Sequence, residues 1–341
     1  MATILDVAKL AGVSTATVSR VINSPEAVRL KTREKVTNAM RVCNYKYNAL
    51  ARGFATRRSN TIGLIIPTIN NQVFAESTRG VQDYADLHET QVLLGNTYYR
   101  HGREERLVNT FRERQVDGLI ITTTDLRGAV LKTLVDEEVP FVLLYSTLKG
   151  GEMAAVGIDN YQGGYQATEH LVKLGHKRIA MVAGNFSVSD RSFHRWHGYR
   201  QCLNNNNIPY DRRFLIQTEY SLIGGRHSVT TLLSLPKPPT AIFCSNDYLA
   251  IGTIKGAREL GYKLPDDLSV VGFDDIRIAS YMVPELTTIR QPSYEMGKLG
   301  AELLLQRIEK KVKPIQLMLE SSLVVRKSTA IPPGEALPAD C

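Results

Sequence analysis

The 341-residue sequence has no apolar run near the roughly 18 residues that a membrane helix requires, so no spanning segment is expected. Its opening, MATILDVAKL, lacks the charged-then-apolar layout of a secretory signal. Cysteine is sparse. Cys43, Cys202, Cys244 and Cys341 are scattered and make no CxxC pair, which argues against a disulfide framework or a zinc ribbon and reads as free thiols in a reducing cytosol. There is no P-loop, no GxGxxG after a strand, no GxSxG and no HExxH. The sequence therefore offers no catalytic residue, no metal ligand set and no cofactor fingerprint.

What the sequence does have is an uneven charge. Residues 1–60 hold 11 Lys or Arg against 3 Asp or Glu, and the remaining residues hold 31 of each, so the net +8 of the chain lies in its first sixth. A basic head on a neutral body points to phosphate binding by the head.

Helical signals organise that head. Thr3 can cap a helix from about Ile4 to Ala11, with Val7, Ala8 and Ala11 on one face. Gly12 supplies a left-handed turn residue. Ser14 then caps a second helix, about Thr15 to Asn23, whose inward face is Val18, Val21 and Ile22. The Ala8, Gly12, Val18 spacing is that of a helix-turn-helix. A third helix, about Lys31 to Cys43, closes the core with Val36, Ala39 and Met40. The outer face of the second helix then carries Thr15, Ala16, Thr17 and Arg20 toward a major groove. Arg can bond guanine bidentately, and Ala or Thr methyls can meet the thymine methyl. Ser14, Thr17, Ser19 and Asn23 suit phosphate contacts.

The stretches DVAKLAGVSTATVSRVIN, VRLKTREKV and NALARGFATRRSNTIGLIIP resemble the lactose/galactose repressor (LacI–GalR) family, and the similarity runs to about residue 330. The resemblance implies a homodimer on near-palindromic double-stranded operator DNA, with helix 15–23 in the major groove. Arg29 stands where many members cap the third helix with Ser, and Thr32 offers a later cap. Domain limits follow as a head at 1–46, a hinge helix and linker at 47–60, a sensor body at 61–330 and a tail at 331–341. In the hinge, Asn48 can cap ALARGFA, but Gly53 costs about 1 kcal/mol against Ala. So short a segment is not stable alone in water, and should be helical only when docked. The resemblance implies docking of paired hinges in the minor groove, through Leu50 and with Phe54 as the wedge where leucine is usual. Alternatively Phe54 packs on its own body.

From Thr61 short apolar runs (TIGLII, QVLLG, GLIIT, PFVLLY, RIAMVA, AIFCS, SVVGF) read as buried parallel strands. Helical-period stretches at 75–88, 102–114, 163–174, 194–206 and 247–260 separate them. The alternation implies a doubly wound α/β body. The family implies two periplasmic-binding-protein-like lobes, about 61–160 with 293–320 and about 161–290 with 321–330, crossed three times by the chain. Ligands of such sheets bind beyond the strands' carboxyl ends. That rule selects Phe74 as lid, stacking group or core, Arg191 and Arg195 on one helix face, Asn246 and Asp247 as binding groups or caps, and Asp274 and Asp275 as binding groups or turn formers. The resemblance assigns effector contacts to Arg195, Asn246 and Asp274, places Tyr220 where an aromatic stacks on the sugar in some members, and leaves Asp159, Tyr161 and Gln162 competing for one role.

Two guanidinium groups, flanked by His194 and His197, exceed what a neutral sugar needs. The stretch PTINNQVFAE and the spacing from Asp190-Arg191 to Gly198-Tyr199 also resemble the gluconate-operon branch. The expected effector is a sugar acid such as gluconate, then a sugar phosphate. Trp196, the one tryptophan, adjoins Arg195 and would report binding. The family leaves room for a catabolite-control type driven by a phosphocarrier protein. A plain transport-binding protein is opposed by the basic head, and a sugar-binding enzyme by the missing nucleophile–base pair. The tail, PPGEALPADC, is too short for the helical bundle that makes some members tetramers.

Overall fold

The computed structural model describes residues 2–23, 25–45, 58–100, 102–123, 125–146, 153–309 and 313–334. The chain divides into two compact units, Met1–Ser59 and Asn60–Cys341. The expected hinge helix, with Leu50 and Phe54, lies outside the described residues.

The first unit is built from α1 (Ile4–Ala11), α2 (Thr15–Asn23) and α3 (Leu30–Val42). Thr3 and Asp6 form a reciprocal capping box at α1, and Gly12 closes it in the left-handed region at φ 67°. Val7, Ala8, Val18, Val21, Val36 and Ala39 make a small core of their own. The start of α3 differs from expectation. Arg29 is its N-cap residue and makes no side-chain cap bond, while Thr32 lies inside the helix. The helix is held by the burial of Val36 and Ala39, which does not need a polar cap.

The second unit contains two six-stranded sheets. In the first, the strand order is β2-β1-β3-β4-β5-β11. Its strands are β1 (Thr61–Ile66), β2 (Gln91–Asn96), β3 (Gly118–Ile121), β4 (Phe141–Leu144), β5 (Ala154–Ile158) and β11 (Gln316–Leu319). In the second, the order is β7-β6-β8-β9-β10-β12. These strands are β6 (Ile179–Gly184), β7 (Leu215–Thr218), β8 (Ala241–Cys244), β9 (Ser269–Asp274), β10 (Thr287–Arg290) and β12 (Ser322–Val324). All pairings are parallel except β10 with β12. Each lobe thus repeats a doubly wound order whose direction reverses between its first and third strands, β1 and β3 in one and β6 and β8 in the other. Ligands collect at such a reversal.

The central strands are apolar throughout because both faces are covered. Strand β2 corrects the sequence reading. It lies at a sheet edge, with Gln91 and Leu94 exposed, and is not a buried strand. The helices α4 (Gln72–Leu87), α5 (Arg103–Glu113), α6 (Ala129–Asp136), α7 (Asn160–Lys173), α8 (Asp190–Asn205), α9 (Leu222–Leu233), α10 (Asp247–Glu259) and α11 (Ser293–Ile308) surround the sheets. Helices α4, α7 and α8 begin three or four residues before the expected starts, because Asn71, Asp159 and Ser189 cap them. The chain passes between lobes after β5, after β10 and between β11 and β12. Helices α7 and α8 approach closely through Gly164 and Gly198, where a methyl group would overlap the facing backbone. That contact sets the position of Arg195, whose backbone faces Gly164.

Candidate functional site

In the first unit, α2 presents Ala16 and Arg20 to solvent one turn apart, with Thr15 and Thr17 half-buried. Ser14 accepts from the Thr17 amide at 3.2 Å and lies 3.0 Å from the Thr17 hydroxyl, so it caps the helix that it was also expected to anchor on phosphate. Val18 and Val21 turn inward. The result is a rigid helix with one small polar face, the form that enters a major groove. Asn23 is the last residue of α2.

In the second unit, Arg191, Arg195, Asn246 and Asp274 are brought together as a buried floor at the carboxyl ends of the second sheet. Arg195 is engaged through Nε and Nη1. It donates to Asn160 Oδ1 at 2.9 Å and to the Ser245 carbonyl at 2.5 Å, lies over the Phe273 ring at 3.4 Å, and stands 3.8 Å from the Asp274 carboxylate. Burial lowers its pKa, against the pull of Asp274. Asp274 sits at φ 123° and accepts from Gln291 Nε2 at 2.6 Å. Burial pushes its carboxyl up to about 7, opposed by Arg195, Gln291 and Arg191. Asp247 accepts from the Ile276 amide and the Thr288 hydroxyl, and burial with the nearby Asp274 raises it as well. Asp275, held by Arg290 and Arg326, is committed to ion pairs.

Arg191 is different. It is 7% exposed, yet its Nη1 has no hydrogen-bond partner. Burial works against its charge, but Asp190 and the tyrosines Tyr99, Tyr220 and Tyr145 hold its pKa above the ordinary value. A buried cation with a free donor is costly unless something fills it.

Above this floor lies the aromatic pair Tyr99 and Tyr220, stacked with centroids 5.6 Å apart. Tyr220 is therefore placed against Tyr99, and its hydroxyl lies 2.6 Å from Ser192 Oγ, which donates to Ser245 Oγ at 3.1 Å. Beyond the pair opens a hollow of about 590 Å³, lined from one lobe by Thr68, Asn70 and Tyr99 and from the other by Asn185, Tyr220 and Tyr248. That volume falls within the range of small-ligand sites. The Tyr248 hydroxyl donates to the Asn70 carbonyl at 3.0 Å, across the two lobes.

Three sequence candidates fall elsewhere or serve other ends. Phe74 is core, 5% exposed and packed edge-on against Tyr145 at 5.3 Å, because α4 begins early enough to turn it inward. Asp159 is exposed and caps α7 through the Gln162 amide. Asn246 caps α10 by accepting from the Leu249 amide at 2.9 Å; its amide nitrogen is not used in that bond. Sequence reading missed Tyr99, Ser192, Gln291 and Tyr248. It also missed Thr122 and Asn96, at the ends of β3 and β2, whose Oγ1 and Nδ2 are buried without partners. The strand-end rule alone would have found Thr122, Asn96 and Tyr99.

Among the described residues, no helix is long and apolar enough to cross a membrane. Residues 3–48 match the profile of the bacterial regulatory proteins of the lacI family, and residues 168–329 match a periplasmic binding protein-like domain. The chain is 34% identical to catabolite control protein A of Priestia megaterium over 96% of its own length and 99% of that protein. Among solved structures it is similar to the lac repressor dimer bound to operator and the anti-inducer ONPF, with a TM-score of 0.87, 31% identity and coverage of 96% of this chain and 99% of that one. It is also similar to a transcriptional regulator CelR–cellobiose complex, with a TM-score of 0.73, 30% identity and coverage of 96% and 100%.

Proposed function

Since the chain belongs to the lacI family of bacterial regulatory proteins, DNA-binding transcription regulators and not enzymes, we propose that it is a repressor of a carbohydrate or sugar-acid operon, controlled by a small effector in the cleft between its lobes. It acts on the chromosome in the cytoplasm, as a homodimer on a near-palindromic operator. Thr15, Ala16, Thr17 and Arg20 face the base edges while Ser14, Thr17, Ser19 and Asn23 position the helix. The sequence of residues 47–60, with Leu50 and Phe54, suits a hinge helix that forms only on the operator.

The buried, partnerless Nη1 of Arg191, whose charge interacts with Tyr99 and Tyr220, carries the effector reading. An anionic group both accepts from a buried guanidinium and neutralises its charge, whereas a neutral hydroxyl only accepts. The effector is therefore a sugar acid, gluconate first and a phosphorylated sugar next, with Arg195, Asn246, Asp274 and Tyr220 shaping its hydroxyl end. Asp159 and Phe74 retain only indirect parts, as a helix cap and as packing. The effector acts through its different affinity for two lobe arrangements, one of which lets paired hinges dock.

Calorimetric titration with gluconate, other aldonates and neutral hexoses tests this. Heat from the acids is expected; heat from a neutral hexose alone overturns it. Likeness to a catabolite control protein supports a second reading, in which a phosphocarrier protein replaces the metabolite. Under that reading an Arg191→Met variant still responds.

A further inference from the structure

A second cluster of cations lies outside the cleft floor. Arg100, Arg103 and Arg106 converge with Leu107 and Thr110 on a hollow of about 390 Å³ at α5. Arg103, Arg106, Leu107 and Thr110 follow i, i+3, i+4 and i+7 spacing, so they share one helix face. Among the described residues none of the three arginines is in an ion pair. Glu104 accepts from the Thr123 hydroxyl at 2.9 Å, and Glu105 does not line the hollow. Arg103 is held in place, its guanidinium 4.8 Å from the centre of the Tyr98 ring.

Like charges on adjacent turns repel and weaken a helix. These three residues, Arg103 half-buried and Arg100 and Arg106 exposed, border one hollow. From this geometry we propose that Arg100, Arg103 and Arg106 form an anion site for a phosphate-bearing small metabolite, distinct from the cleft. One carboxylate is satisfied by a single guanidinium fork. Three forks match the several oxygens of a phosphate ester or diphosphate. Leu107 and Thr110 supply a mixed floor for the rest of the molecule.

Arg100 also lines the cleft hollow and follows Tyr99 directly in the chain. The two sites therefore share a side chain. An anion that draws Arg100 outward changes the wall of the cleft and the seat of the Tyr99 ring, so the two ligands are coupled, reciprocally.

The test uses the full chain and inorganic pyrophosphate as the probe, followed by calorimetry at constant ionic strength in chloride. Saturable binding at one site per chain is expected, and the double variant Arg103→Gln/Arg106→Gln should weaken it about tenfold or more. Neither arginine lines the cleft, and an unchanged melting temperature and circular dichroism spectrum serve as the double variant's folding control. Arg191→Met separates this site from the effector reading, because it should leave the pyrophosphate heat in place. Absence of saturable heat, or equal affinity in the double variant, overturns the proposal. So does transfer of all binding to double-stranded DNA, which would make the patch a nucleic-acid contact.

Discussion

Tyr99 of one lobe stacks on Tyr220 of the other, ring centroids 5.6 Å apart and planes 24° from parallel. The pair interacts with the charge of Arg191, and its Tyr220 ring is itself held in place. A methyl group at Gly184 would overlap the Tyr220 ring, and the Tyr220 hydroxyl is tied to Ser192. Such a pair contributes about 0.5–1.5 kcal/mol beyond its buried area. Tyr99→Ala is expected to favour the open cleft and to weaken effector binding by about threefold to tenfold. Equilibrium calorimetric titration measures this, and an unchanged affinity would remove the pair from the closing mechanism.

Arg191 gives a sharper separation of binding from stability. Its free donor is a liability in the folded protein. Arg191→Met keeps the length of the side chain and removes the charge. Loss of a charge-assisted bond costs about 1.5–3 kcal/mol, so aldonate affinity should fall roughly tenfold to a hundredfold. The melting temperature should hold or rise. A large drop in melting temperature would show that the guanidinium is structural.

Asp274 sets a pH dependence whose sign can be worked out. Burial raises its carboxyl from 3.8 to about 7. Between those values the folded chain keeps a proton that the unfolded chain has lost. The stability it contributes is complete below the unfolded value and is lost as pH rises through about 7. Asp274→Asn removes this titration and also relieves the upward push of Asp274 on the buried Asp247, a change of the same sign. Relative to the parent, the variant should therefore gain melting temperature from about pH 5 to about pH 8. A constant difference across that range contradicts the assignment.

The outer face of α2 is tested on DNA. Arg20→Ala is expected to cost about 1–3 kcal/mol and to relax preference at one base pair of each half-site. Selection from a random duplex pool, with and without gluconate, reports that change together with palindromy and effector sign. An unaltered preference would displace Arg20 from base reading.

How much of this was legible in advance differs from residue to residue. The capping box at Thr3, the left-handed Gly12 and the inward Val18 are local devices, so the head could be read almost residue by residue. The central strands were legible because burial on both faces leaves an unbroken apolar run. Strands β5, β7, β10, β11 and β12 escaped because they are short and rich in Ala, Gly, Thr, Gln or Ser; the neighbouring strands define them. In the cleft, the types of Arg195, Asn246 and Asp274 were visible but not their present engagements. Arg195 donates to Asn160, 35 residues away, and Asp274 accepts from Gln291, 17 away. Tyr99 was within reach of the strand-end rule, three residues past β2, but nothing local marks it as the partner of Tyr220, which lies 121 positions on.

The interleaving of the sensor's sheets limits how it can be re-engineered. Strand β11 completes the first sheet and β12, three residues later, completes the second. Neither half is a cassette: a fragment ending near residue 160 would lack the outer strand and the α11 helix that cover its own sheet. Chimaeras that graft a new ligand preference onto this regulator must exchange residues 60–330 as one piece, with the join at the linker, or else alter the cleft by point substitution.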